Sequence, residues 1–200
     1  TTAGVGGTVV SSGAALELAN NVTINNESVF LTGTGIINAP ISALVTSVTG
    51  TGALRSVSGN NTWGGAIFMQ GGNGASDSVG VEAGSSLNAS GQFFQQVASI
   101  NLIKSGSGTL EMSGSNLNVY GGSTFVSEGT LLLNKAGAAR AIRGTLHIGD
   151  NRGGAGADVV RYAPTAGTDQ IGDVAVVIHS TGLLDLNGVS ETVNNAVTLT

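Results

Sequence analysis

The chain has 200 residues, with 33 glycines, two prolines, no cysteine, only 10% charged residues and a formal net charge of −5. So little proline excludes collagen, the missing cysteine excludes disulfides and thiolate chemistry, and seven scattered Lys and Arg make nucleic acid and anionic membrane surfaces poor partners. No apolar run approaches the ~18 residues of a membrane-spanning helix, so membrane insertion by this segment is not expected, and 40% hydrophobic residues argue against disorder.

In chain order, short apolar–x–apolar triplets follow glycine. Gly13-Ala14-Ala15-Leu16-Glu17-Leu18 comes first, then Gly52-Ala53-Leu54 and Gly84-Ser85-Ser86-Leu87. Phe93, Phe94, Val97, Ile100 and Ile103 fit either helical spacing or two strands. The clear copies are Gly108-Thr109-Leu110-Glu111-Met112, Gly129-Thr130-Leu131-Leu132-Leu133 and Gly144-Thr145-Leu146-His147-Ile148. Residues 136–142, AGAARAI, suit one helical turn at a corner, and Gly182-Leu183-Leu184-Asp185-Leu186 closes the series. The period of two predicts strands with one buried face. Leu16, Leu18, Leu110, Met112, Leu131, Leu133, Leu146, Ile148, Leu184 and Leu186 should point inward, with Glu17, Arg55, Glu111, Leu132, His147 and Asp185 outward.

Two longer duplications overlie this pattern. Residues 50–69 match 106–126, placing Trp63 on Tyr120, Gly64-Gly65 on Gly121-Gly122 and Phe68 on Phe125. The final GLLDLNGVSETVNNAVTLT matches residues 13–32. A unit of ~20 residues cannot bury an apolar face alone, and stacking such units builds a continuous column. Composition and repeats therefore predict an all-β, right-handed parallel β-helix, a β-solenoid of nine or ten rungs. Residues 1–200 read as a single solenoid segment cut from a longer array. If the three clear Gly-Thr-Leu copies are successive rungs, Glu128 and Arg143 become vertical neighbours.

Residues 102–134 carry a further pattern: Lys104, Gly106, Gly108-Thr109-Leu110, Ser113-Gly114, Asn116, Tyr120, Gly121-Gly122 and Gly129-Thr130-Leu131-Leu132-Leu133. This closely resembles the autotransporter-associated β-strand repeat, and residues 50–69 resemble a weaker copy without the lysine. The resemblance implies a β-helical passenger segment of a large, secreted, surface-displayed bacterial protein, extracellular or on the cell surface. It implies a structural or adhesive role and no catalytic residues.

The chemistry-bearing residues are sparse. His147 and His179 read as lone strand histidines, and no His-x-His or HExxH spacing is present. Residues 153–161, GGAGADVVR, fit one copy of the calcium-binding nonapeptide, which makes Asp150 and Asp158 a weak candidate Ca²⁺ site between Arg152 and Arg161. Otherwise no metal and no cofactor is expected. Trp63 and Tyr120, each before Gly-Gly, read either as sugar-stacking surface contacts or as covers for a rung corner. The expected partner is a polysaccharide or a host or neighbouring cell surface. The rival reading is a polysaccharide lyase or glycoside hydrolase on a parallel β-helix, which needs carboxylates converging across rungs.

Overall fold

The computed structural model describes residues 6–36, 50–72 and 74–200. The described residues contain strands and no helix, and three parallel sheets form the sides of a solenoid. The four-stranded sheet stacks β1 (Gly7–Val10), β4 (Ser28–Leu31), β7 (Ile67–Met69) and β10 (Phe93–Gln95). The eight-stranded sheet stacks β2 (Leu16–Leu18), β5 (Leu54–Ser56), β8 (Ser76–Val81), β11 (Asn101–Ser105), β13 (Thr124–Val126), β15 (Leu146–Ile148), β17 (Val176–Ile178) and β19 (Val197–Leu199). The seven-stranded sheet stacks β3 (Thr23–Ile24), β6 (Asn60–Trp63), β9 (Ser86–Ala89), β12 (Thr109–Gly114), β14 (Gly129–Lys135), β16 (Asp158–Tyr162) and β18 (Gly182–Asp185). The 93–103 segment that suited helix or strand thus holds β10 and β11, and residues 136–142 form no helical turn.

About seven turns are present, as the seven-stranded sheet counts them, in place of the expected nine or ten. The reason is turn length. Thr23, Thr62, Asn88, Glu111, Leu132, Arg161 and Asp185 form one outward column, so a turn takes between 21 (111 to 132) and 39 (23 to 62) residues. A unit of ~20 residues is too short because each turn visits two or three sides and carries corner loops.

The alternation selects the core. Leu87, Leu110, Leu131 and Val160 form one inward column, each with no exposed surface. Burying a side chain of this size stabilises by ~1.5–3 kcal/mol. Ile24, Trp63, Ala89, Met112, Leu133 and Tyr162 form another, in which the smallest side chain, Ala89, lies directly on the largest, Trp63. Close packing at constant strand spacing favours such a large–small pairing. Nine of the ten expected inward residues are buried or packed against the core, with Leu16 and Leu184 half-buried. Leu186 departs: it follows the last residue of β18, no described strand lies over it, and it is 38% exposed.

Outward side chains stack too. Phe30, Phe68 and Phe94 form a ladder with ring centroids 4.8 and 4.9 Å apart. On the eight-stranded sheet Phe125 stacks on His147 at 4.6 Å and His147 on His179 at 6.0 Å.

The repeats do not map one copy to one rung. Leu110 and Leu131 share a column in the seven-stranded sheet, but Leu146 pairs with Thr124 and Val176 in the eight-stranded sheet. Residues 136–143 lie along the third side of their turn, where Asn118 N–H donates to the Arg140 carbonyl at 2.9 Å and Ile142 bridges Ile171. Gly129 pairs with Asp158, so Glu128 and Arg143 are not the vertical neighbours that stacking of all three copies requires. Likewise Leu54 and Leu110, equivalent in the duplication, lie in different sheets. What the copies share is the corner. A Cβ at Gly65 would lie 1.8 Å from the Glu27 carbonyl oxygen, and one at Gly122 would lie 2.0 Å from that of Ile100. The repeat therefore encodes a strand and a glycine corner, usable on any side of the solenoid.

Candidate functional site at a lysine-bearing corner

Between the eight-stranded and seven-stranded sheets the chain turns one corner per rung. In the turn from β11 to β12 the alternation puts Lys104 inward, between Val79 below and Val126 above. Its side chain has no exposed surface. The ammonium donates to the Ser105 carbonyl at 3.0 Å, to the Glu128 carbonyl of the next turn at 2.9 Å, and to the Gly106 carbonyl. Gly106 is left-handed (φ 73°), and a Cβ there would lie 2.3 Å from the Val81 oxygen. Gly129 is also left-handed (φ 66°), which turns the Glu128 carbonyl toward the lysine's corner. Burial pushes Lys104 down to about 7, opposed by the charges of Glu128, Asp158 and Glu82.

Outside this lysine lies a cavity of about 370 Å³ lined by Ser105, Ser127, Glu128, Asp150, Arg152 and Asp158 among others. A second hollow of about 300 Å³ shares Ser105, Ser107 and Glu128 with it and adds Thr51 and Glu82. Asp158 opens β16 and has no exposed surface. Its Oδ2 accepts a hydrogen bond from Thr181 Oγ1 at 2.6 Å, and its Oδ1 has no partner. Burial pushes the Asp158 carboxyl up, the Thr181 hydroxyl and the Asp150 backbone N–H hold it down, and the charges of Asp150 and Glu128 push it further up. Among the described residues four buried side-chain polar atoms lack a hydrogen-bond partner, and three of them, Thr51 Oγ1, Ser105 Oγ and Asp158 Oδ1, belong to residues that line these two hollows.

The structure thus brings Asp150 and Asp158 into one cavity and adds Glu128, which the sequence offered only as a register marker. No group of three or more His, Asp or Glu side chains suited to a metal occurs among the described residues. Trp63 and Tyr120 are corrected as surface contacts: they are 1% and 0% exposed. Both rings point into the apolar interior, and Tyr120 shares a 2.7 Å hydrogen bond with Thr124 there. Their outward, half-buried counterparts are the Phe and His ladders. Burial pushes the His147 imidazole down, with the charge of His179 adding to it. The other loop acids are engaged. Asp169 and Asp173 face Arg140 at 2.7 and 3.8 Å, and Glu191 accepts from the Tyr162 hydroxyl at 2.5 Å. Carboxylates held this way are poorly placed as a free acid–base pair.

Repeated parallel coils without an internal helix define a β-solenoid. The family model of the passenger-associated-transport-repeat matches residues 102–133, from β11 into β14. No curated protein and no solved structure matches the chain. The matched stretch contains Lys104, Gly106 and Glu128-Gly129, all the residues that close the lysine corner except those of Asp158's turn.

Proposed function

We propose that this chain is a non-catalytic structural and adhesive passenger segment of a secreted, surface-displayed bacterial protein. The observation that carries the reading is the placement of the matched repeat, which runs from β11 through one lysine-closed turn and on into β14 of the next, in the middle of a parallel stack. A stack of this kind is a rod whose length grows with turn number while its ends stay apart, which suits a stalk. The right-handed crossover rule makes the coil right-handed. Its outer faces carry stacked aromatic rings with Ser, Thr and Asn around them, a surface suited to a polysaccharide or a neighbouring cell surface.

The test uses cells that make the full-length protein. Antibodies raised against residues 102–133 should label intact cells, and cells whose protein lacks the segment should adhere less to a polysaccharide-coated surface. Labelling only after permeabilisation would refute surface display. Equal adhesion with and without the segment would leave a stalk and remove the adhesive role.

A further inference from the structure

A groove on the outer face of the eight-stranded sheet is built from side chains that reach solvent. Its volume is about 340 Å³, and its lining comes from five successive turns, from β8 to the residue after β17. Four strand spacings separate β8 from β17, so the lining spans about 19 Å along the solenoid axis. Ile103 and Phe125, neighbours in one outward column and both half-buried, form an apolar floor. Around it stand hydroxyls, amides and an imidazole, from Ser76, Ser127, Asn101, Asn151 and His179. Three of the polar side chains are each held by one atom. Asn151 Oδ1 accepts from the Ser180 backbone N–H at 3.2 Å and from its hydroxyl at 2.8 Å, which leaves the amide nitrogen to donate. His179 Nδ1 shares a 3.0 Å hydrogen bond with Thr200 Oγ1, which leaves Nε2. Asp150 Oδ1 accepts from the Arg152 backbone N–H at 2.9 Å, which leaves Oδ2. Polar groups fixed in advance lose little freedom when a ligand arrives.

The groove crosses strands whose backbone groups are already paired with neighbours in the sheet. An extended peptide recognises a sheet by adding a strand at an open edge, and this face offers none. It offers an apolar strip flanked by hydroxyl and amide groups, with one formal charge, Asp150. A chain of sugar rings carries the complementary chemistry, C–H faces between rows of hydroxyls. That carboxylate and the net charge of −5 disfavour an anionic polymer. We propose that this groove is a glycan-binding site, taking several consecutive units of an uncharged hexose or N-acetylhexosamine polysaccharide. The sugar rings lie on Ile103 and Phe125, and their hydroxyls bond to Asn151, His179 and Asp150. The inference rests on the adhesive half of the passenger reading and adds where the polymer is held and which class it belongs to.

The experiment is calorimetric titration of the purified 200-residue chain with cello-, manno- and chito-oligosaccharides. Oligogalacturonate serves as the anionic counterpart, and an unfolded, uncharged peptide is run alongside. At least one uncharged series should bind, its longer oligomers more tightly than its disaccharide, while oligogalacturonate and the peptide should not. Asn151→Asp keeps the oxygen that accepts from Ser180 and removes the amide donor. It should weaken binding roughly five-fold, the contribution of one neutral hydrogen bond. Ile103→Ser should weaken it at least as much. Asp185→Asn, at an acid paired with Arg161 on another side of the solenoid, should leave it unchanged. Absence of binding in all three uncharged series would overturn the proposal, as would binding of the peptide or oligogalacturonate in their place. Undiminished affinity in both Asn151→Asp and Ile103→Ser would overturn it too. Cells whose full-length protein carries Ile103→Ser separate the two readings: unchanged surface labelling and unchanged adhesion to polysaccharide would overturn this groove alone and leave the passenger reading standing.

Discussion

Lys104 and Lys135 are both without exposed surface, both end an inward-facing run of a strand, and their two corners treat them differently. Lys104 has three carbonyl acceptors, one of them in the next turn. Lys135 has one, the Gly91 oxygen at 3.3 Å, and its backbone is instead clamped by the Gln170 amide at 2.8 and 2.9 Å. Burial pushes Lys104 down to about 7 and Lys135 down to about 8. The comparison teaches that the same buried cation acts as a lock between turns where carbonyls converge and as a tolerated inclusion where they do not. Only the first corner lies within the matched repeat.

The largest expected effect comes from removing the lock. Lys104→Met leaves one buried and two part-buried carbonyls without their donor, and hydrogen bonds to a charged donor are the costly ones to lose, so unfolding stability should fall by ~2–4 kcal/mol. A urea midpoint within error of the unsubstituted chain, at equal slope, would mean the carbonyls find other partners.

The next effect is a pH dependence. Both lysines have folded values below the ordinary 10.5. Between about 7 and 10.5 the unfolded chain therefore holds protons that the folded chain has released, and stability rises with pH through that window. Below about 7 the cost of burying both charges is fully present. Each released proton contributes at most roughly 1.4 kcal/mol per pH unit across its window, and the window of Lys104 is the wider. Tyr120 and Tyr162 are pushed up by burial, so from about 10, where the tyrosines of the unfolded chain ionise, they oppose the trend at the top of this range. Melts that fall steadily from neutral to alkaline pH would contradict the sign.

The smallest effect is Lys135→Met, within ~1 kcal/mol in either direction, because it exchanges a poorly bonded buried charge for an apolar chain of similar length. It should also flatten part of the alkaline rise. A loss as large as that of Lys104→Met would erase the distinction between the corners.

Much of this was legible in the chain. Alternation after Gly-Thr-Leu identified the inward leucines, because a period of two has one physical solution when a single face is buried. Leu102-x-Lys104 already placed the lysine on the inward side, and that signal was available though the apolar-first reading passed over it. Assignment to a side of the solenoid was not legible, since Leu54, Leu110 and Leu146 sit in the same local pattern in two different sheets. Turn length was hidden because corner insertions such as residues 149–157 lengthen a turn without altering any strand. The cavity around Asp158 depends on that register, so Asp150 and Asp158 were visible as a pair while Glu128 was not.

Stacking by side, with Phe125 under His147 and Gly129 under Asp158, is the claim on which the rest depends. The chain has no cysteine, so paired cysteines test it on a clean background. Registered Cα partners on adjacent parallel strands lie ~4.8 Å apart, within the span a disulfide closes. Phe125→Cys with His147→Cys should cross-link completely under mild oxidation, read by gel mobility and intact mass, while Glu128→Cys with Arg143→Cys should remain reduced. Cross-linking of the second pair and not the first would contradict the account.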